Sequence, residues 1–415
     1  MEQEEEKIIY NTIIPPAIAM HHQPVYILTE DGWVDVASFK VKGRNGLKAA
    51  TLSLNGDSSE DNLGITYKNI VSRDIFDYED YFEEDETIVP CLRFKGKNFD
   101  EIGTVTQVYP IFSKLCKFKG YYTFNDLKEL PIRIRQHAYL LRSCKWEGSF
   151  PESMKDKENI RLFGYSEEDI LMPISEWVRF VGYFLNDGST DGKETSIVTK
   201  NDSIADFMEA FAMTNHFHFT MREGKKNQVT YVIRNTVLSR YLKNNCYEGG
   251  STKGEKKIPR ELKYLPTEFL QDLYDAYSST MGEKVKKKQA ELFALNRQLA
   301  LDINEIQFKT GAPGNYREED YYDENRLLDN ETRTLFFSTK GTAKTIYLDD
   351  PQVEIIADDT YKGKMVAFEI EGGGPWYCMY GGKTHWICGK NQTETITAQQ
   401  LQQQEGEEEI GNEGN

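Results

Sequence analysis

The sequence contains no run approaching the ~20 consecutive apolar residues that a membrane-spanning helix needs, so such helices are excluded from the expectation. The first residues, MEQEEEK, are acidic where a signal peptide would be basic, which points to an intracellular protein. Cysteine is scarce and scattered: Cys91, Cys116, Cys144, Cys246, Cys378 and Cys388 form no CxxC, so neither a disulfide framework nor a zinc ribbon is indicated. Cys378, His385 and Cys388 do cluster, but their spacing offers no obvious fourth ligand and makes a weak metal signature. Positive charge is also in deficit, with 50 basic against 67 acidic residues and a net of −17. That balance argues against a general polyanion binder and leaves only a local basic face open.

What is present is an ordinary folding composition, 39% hydrophobic, in 415 residues, enough for two or three packed units. Residues 20–150 read as strands, with PVYILTEDGWVDVASF giving a β-rich run, an Asp-Gly turn signal and a second run. The same texture returns at 345–391 in TIYL, VEIIA, KMVAFEI and PWYCMY, so the two β regions are expected to form one discontinuous domain. The middle is helical in period: Ser175 and Thr267 are expected to cap helices running EWVRFVGYFLN and EFLQDLYDAY. Each is followed by a short strand and an amphipathic helix, first SIVTKNDSIADFMEAFAM and then ELFALNRQLALDINEIQF with Leu299, Ile303 and Ile306 on one face. This is an internal αβ repeat. Residues 171–310 hold 20 basic and 18 acidic residues, a net of +2, so the acidity sits elsewhere. The segment 392–415 has six acidic residues, no basic residue and a glutamine run, and is expected to be a disordered tail.

Phe180-Val181-Gly182-Tyr183-Phe184-Leu185-Asn186-Asp187-Gly188 is an apolar helix with a small residue in its middle and a terminal acid. A small residue lets two such helices cross closely, and acids meeting at their ends can hold divalent metal over a phosphodiester. The segment resembles the signature helix of LAGLIDADG homing endonucleases. Ninety residues on, FLQDLYDAYS at 269–278 resembles the second signature helix. Before it, Lys256-Lys257-Ile258-Pro259 followed by Leu262, Leu265 and Pro266 resembles the lysine-containing block of intein-borne members. The outer β regions in turn resemble the Hint fold of inteins. MHHQPVYILTEDG at 20–32 is similar to the opening block, and 366–391, with Gly382-Lys383 and Trp386 in order, to the closing blocks of phage-type inteins.

The resemblance implies an α+β chain. A flank at 1–19 precedes a Hint-like β domain, 20–170 plus 346–391, that is split by a two-repeat LAGLIDADG domain at 171–345. It also implies losses. Met20 stands at the first splicing position, where a thioether cannot attack an amide, and Tyr109 stands where the family's Thr-x-x-His block has histidine. Asn391 remains able to cyclise, but Gln392 follows it in place of a nucleophile. His21 and His22 read as solvent-facing strand residues rather than substitutes. In the nuclease part Asp187 keeps the metal-ligand position, whereas Asp272 occupies the second crossing position and Tyr277 the second acid position. Asp275 cannot stand in, because two residues along a helix is about 200° of rotation.

Lys256 or Lys257 matches the catalytic-lysine region, or either is an ordinary phosphate-contacting or solvated lysine. Any residual cleavage would use Mg2+ at Asp187. Duplex DNA is the expected partner through Arg222, Lys225, Lys226, Arg234 and Lys253, with 284–288 (KVKKK) a solvated segment or an added phosphate contact. The functional expectation is therefore a degenerate, phage-type, intein-like pseudoenzyme that keeps DNA binding and has lost splicing, with cleavage lost or weak. The rival is a non-enzymatic structural or interaction module, for instance in a virus particle or with a former host protein.

Overall fold

The computed structural model describes residues 15–390 apart from 21–23, 39–45, 55–62, 83–88, 97–98, 114–116, 165–167, 225–227, 281–290, 322–332 and 340–343. The terminal tail, Asn391, Gln392, Lys225, Lys226, His21, His22, Cys116 and the KVKKK run all lie outside the described residues. The architecture is α+β, with antiparallel sheets and seven α-helices among the described residues. No helix is long and apolar enough to cross a membrane. The chain divides into two compact units, one of residues 1–30, 34–142 and 345–415, the other of 31–33 and 143–344.

The first unit is built on an eleven-stranded antiparallel sheet. Its organising element is the fifteen-residue strand Leu63–Asp77, whose first half pairs with Lys48–Leu54 and whose second half pairs with Lys364–Ile370. One strand thus belongs to two ladders, and a register shift at Glu369/Ile370 marks where the sheet bends. The core beneath it includes Ile27, Phe94, Tyr109, Phe124, Phe368 and Trp376. Ile18–Ala19, assigned from sequence to the flank, is a buried strand of this sheet, pairing with Val366 and Met365 on one side and Gly103 on the other. Its apolar residues leave water by joining the ladder, which is why the unit begins before Met20. The last strands, Pro375–Tyr380 and Lys383–Cys388, form a hairpin joined by Gly381 and Gly382. Both glycines have positive φ, 54° and 77°, as a two-residue hairpin turn of the primed type requires.

The second unit contains the internal repeat. The helix Ile174–Asp187 leads into a four-stranded sheet ordered Gly188–Thr190, Thr195–Thr199, Val229–Arg234, His218–Glu223, with Asp202–Thr214 between its second and third strands in sequence. The helix Thr267–Ser279 is followed by Glu291–Ala294, Arg297–Lys309, Tyr316–Tyr321 and Arg333–Thr339, whose sheet order repeats the last three positions of the first. Neither leading helix is capped by the expected hydroxyl. Both N-caps are prolines, Pro173 and Pro266, with no side-chain cap. The rigid φ of proline sets the chain at the start of each helix, and Thr267 Oγ1 donates instead to the carbonyl of Trp146 at 2.7 Å. Residues 143–170, grouped from sequence with the outer strands, belong to this unit. They are tied in by Ser143 Oγ to Phe308 O at 3.1 Å and Trp146 Nε1 to Leu265 O at 2.9 Å.

Candidate functional site

The two leading helices cross at Gly182. A Cβ on Gly182 would lie 2.7 Å from Ala276 Cβ, 2.7 Å from Leu273 O and 3.0 Å from Tyr277 N. Glycine in a helix interior costs about 1 kcal/mol relative to alanine, and here it is what permits backbone-to-backbone approach. The first helix is fixed behind the crossing by Phe180, stacked on Phe211 with ring centroids 4.5 Å apart. Asp272, expected from sequence at the crossing, stands at its rim, where it meets Arg179 at 3.4 Å across a partly exposed pair. Leu273 and Ala276 make the close contact, so an acidic side chain is accommodated without prising the helices apart.

Asp187 is the last residue of the first helix. That is an unfavourable end for a carboxylate, because the helix dipole is negative there. Burial raises its carboxyl from 3.8 to about 6, against the pull of the Lys256 charge and a hydrogen bond from Asn186 Nδ2 at 3.1 Å. Lys256 is buried, and its Nζ donates to the carbonyls of Phe184 at 2.8 Å and Gly188 at 2.6 Å. It therefore binds at the helix C-terminus, adding a second donor to Phe184 O, which also accepts from the Gly188 N–H, with the Phe184 ring 4.9 Å away. Burial lowers its pKa to about 8, and the neighbouring Cys246 and Asp187 oppose that shift. Lys257 is half-buried, with its backbone N–H bonded to Cys246 O at 3.0 Å. Of the two lysines, Lys256 is the one at the seam.

Opposite Asp187 stands Tyr277, fully buried, its phenol raised above the ordinary range first by burial and then by the Asp187 charge. Asp275 is on the outer surface, accepting from Gln271 Nε2 at 2.9 Å. A magnesium-class cation wants near-octahedral oxygen ligation. Among the described residues the seam offers one carboxylate, faced by a buried phenol and a lysine already committed to two carbonyls. These residues do not fit a divalent metal shared between the helices.

The expected DNA contacts that are described all lie on the surface of the first repeat. Arg222 and Lys253 are exposed, and Arg234 is exposed beside Glu194 Oε2 at 3.6 Å. The corresponding strand of the second repeat, Tyr316–Tyr321, reads YREEDY. Its arginine is exposed but paired with a local acid: Arg317 meets Glu319 at 3.0 Å, and Arg297 from the neighbouring helix pairs with Glu318 at 2.7 Å. The two repeats share a fold and differ in charge.

In the first unit Met20 and Lys390 are bonded to one strand. The N–H of Met20 donates to Lys364 O at 2.8 Å and that of Lys390, the residue before Asn391, to Phe368 O at 2.7 Å. Four residues of strand separate the two anchor points, about 13 Å. Tyr109 is fully buried and its hydroxyl donates to Glu101 Oε1 at 2.5 Å. Glu101 Oε2 is 2.5 Å from His385 Nε2, and His385 is the direct cross-strand partner of Cys378, with Nε2 to Sγ at 3.4 Å. Sequence reasoning grouped His385 with Cys378 and Cys388 and missed Glu101. The hairpin register was legible, since a two-residue turn at Gly381-Gly382 puts Cys378 opposite His385 and leaves Cys388 opposite Pro375. Glu101 arrives from a strand distant in sequence, Phe99–Gly103, and carried no local signal. Comparison with protein-family models and with curated proteins finds no match for this chain.

Proposed function

We propose that this chain is a degenerate relative of LAGLIDADG-bearing inteins, which binds duplex DNA through the surface of its first repeat and neither splices nor cleaves by a shared metal. The observation that carries the reading is the seam. Two proline-started helices cross at Gly182 against Ala276, each followed by an antiparallel sheet of matching strand order, and only one of the two helix ends bears an acid. Arrangement and loss together favour a nuclease scaffold that has outlived its chemistry. The convergence of Met20 and Lys390 on the strand Lys364–Ile370 supports the outer unit's kinship to a splicing domain whose nucleophile positions hold methionine and glutamine. Binding survives such losses because it rests on phosphate contacts by Arg222, Lys253 and Arg234, together with Lys225 and Lys226, and not on the carboxylate.

The test is duplex binding by the full chain across a salt series without magnesium. Affinity should fall steeply from low to physiological salt, persist in Asp187→Asn, and in Arg222→Glu lose affinity with a shallower salt slope by about one unit. Absence of any duplex shift at low salt overturns the reading. The second reading, a non-enzymatic interaction module such as a virus-particle component, is favoured by the acidic strand Tyr316–Tyr321, where a full-length duplex saddle would need cations. It takes first place if DNA is not bound.

A further inference from the structure

Three buried side chains of the first unit come together from two separate places in the chain: Glu101 from Phe99–Gly103, and Cys378 and His385 from the closing hairpin. Their ligating atoms all lie within 4.8 Å of one another, and all three residues are 0% exposed. An acid, an imidazole and a thiol are costly company in a β core unless something satisfies them. Hydrogen bonding accounts for half of the carboxylate: Tyr109 donates to Oε1. Glu101 Oε2, in contrast, has no hydrogen bond from any described residue, although His385 Nε2 is only 2.5 Å away. The two atoms stand at ion-pair distance, so carboxylate and imidazole meet in a core that offers this oxygen no further hydrogen-bond donor among the described residues.

We propose that Glu101 Oε2, His385 Nε2 and Cys378 Sγ are three ligands of a buried transition-metal site suited to zinc, with Tyr109 orienting the carboxylate from behind. An O, N, S donor set is the zinc type and is foreign to magnesium, which separates this site from the seam. With zinc bond lengths of about 2.0–2.3 Å, tetrahedral ligands stand roughly 3.3–3.7 Å apart. The sulfur is already at 3.4 Å from the imidazole nitrogen, while the carboxylate oxygen, now 2.5 Å from that nitrogen, would move out by about 1 Å to reach the same spacing. Tyr109 on the second oxygen is the kind of outer partner that fixes a ligating carboxylate. The tyrosine at the position where the splicing family has histidine then has a use of its own, as a positioning residue. The site does not depend on the DNA-binding proposal, and either can fail alone.

The experiment is titration of the full, folded chain with Zn2+ and, as a spectroscopic substitute, Co2+. The expected result is one tight zinc equivalent that raises the melting temperature, with Mg2+ having no such effect. Cobalt should give the intense d–d bands of tetrahedral coordination and a sulfur-to-cobalt charge-transfer band. Cys378→Ser should lose the charge-transfer band, Cys388→Ser should keep it, and Tyr109→Phe should weaken zinc binding by about 10–100-fold. Wild-type protein that takes up no stoichiometric zinc overturns the proposal without any variant needing to fold. So does a charge-transfer band that persists in Cys378→Ser.

Discussion

The Cβ that Gly182 lacks would lie 2.7 Å from the Cβ of Ala276 and as close to the carbonyl oxygen of Leu273. Two effects of a Gly182→Ala change oppose one another. Alanine gains about 1 kcal/mol of helix propensity, while overpacking a tight contact costs about 1–3 kcal/mol. Part of the clash is with backbone, which cannot rotate away, so the cost should lie in the upper part of its range and Gly182→Ala should be net destabilising by up to about 2 kcal/mol. Chemical denaturation checks this, and a neutral or stabilised variant would show that the crossing is looser than its geometry.

The seam should make stability depend on pH in a defined direction. Burial raises Asp187 to about 6, and a carboxyl raised on folding stabilises most when protonated, below its unfolded value near 3.8. That contribution is lost as pH rises through about 6. Burial lowers Lys256 to about 8, so its contribution is present above its unfolded value of 10.5 and is lost as pH falls through about 8. Both groups are therefore charged, and least favourable, between these values. Asp187→Asn should melt above wild type at neutral pH, with the gap closing toward pH 4. A gap of the same size at all pH values, or of the opposite sign at neutral pH, would contradict the burial argument.

Lys256 separates a structural lysine from a phosphate-contacting one. Its amine donates to Phe184 O and Gly188 O from a buried position. Lys256→Met removes a charged donor from both carbonyls, of which Phe184 O keeps the Gly188 N–H, and should cost about 1–3 kcal/mol of stability. Duplex affinity and its salt slope, measured on the folded variant, should stay at the wild-type value. A shallower slope would put the amine on DNA instead.

Much of this organisation was legible because it lies in short-range patterns. The Phe180 to Gly188 segment shows its small residue and terminal acid directly, and the strand-helix texture behind each leading helix is read from period alone. What was not legible came from tertiary context. Ser175 and Thr267 are good capping residues that lost to the prolines before them. The Leu299, Ile303, Ile306 stripe suggested an amphipathic helix, yet Asp302, Asn304, Glu305, Gln307 and Lys309 are buried as well. The helix Arg297–Lys309 is enclosed on its polar side too, because Lys263, 42 residues before Glu305, supplies a cation there. No sequence window contains both partners. Glu101 was invisible for the same reason.

That enclosed network gives the last prediction. Lys263 Nζ lies 2.8 Å from Asp302 Oδ1 and 3.1 Å from Glu305 Oε2, and Lys309 Nζ lies 2.7 Å from Glu305 Oε1, with all four side chains at 5% exposure or less. Lys309 also sits 4.4 Å from the Trp146 ring centre, which ties residues 143–170 to the same helix. Two cations and two carboxylates balance, and Ile258 N–H at 2.8 Å satisfies the remaining Asp302 oxygen. Removing one cation leaves a surplus buried anion, which costs far more than the intact network contributes. Lys263→Met should therefore destabilise the second unit by about 3–5 kcal/mol. Lys263→Met combined with Asp302→Asn, which removes one charge of each sign, should recover a substantial part of that loss. Urea denaturation of the single and double variants measures the coupling, and a double variant as unstable as the sum of its parts would show that the four charges do not act as a unit.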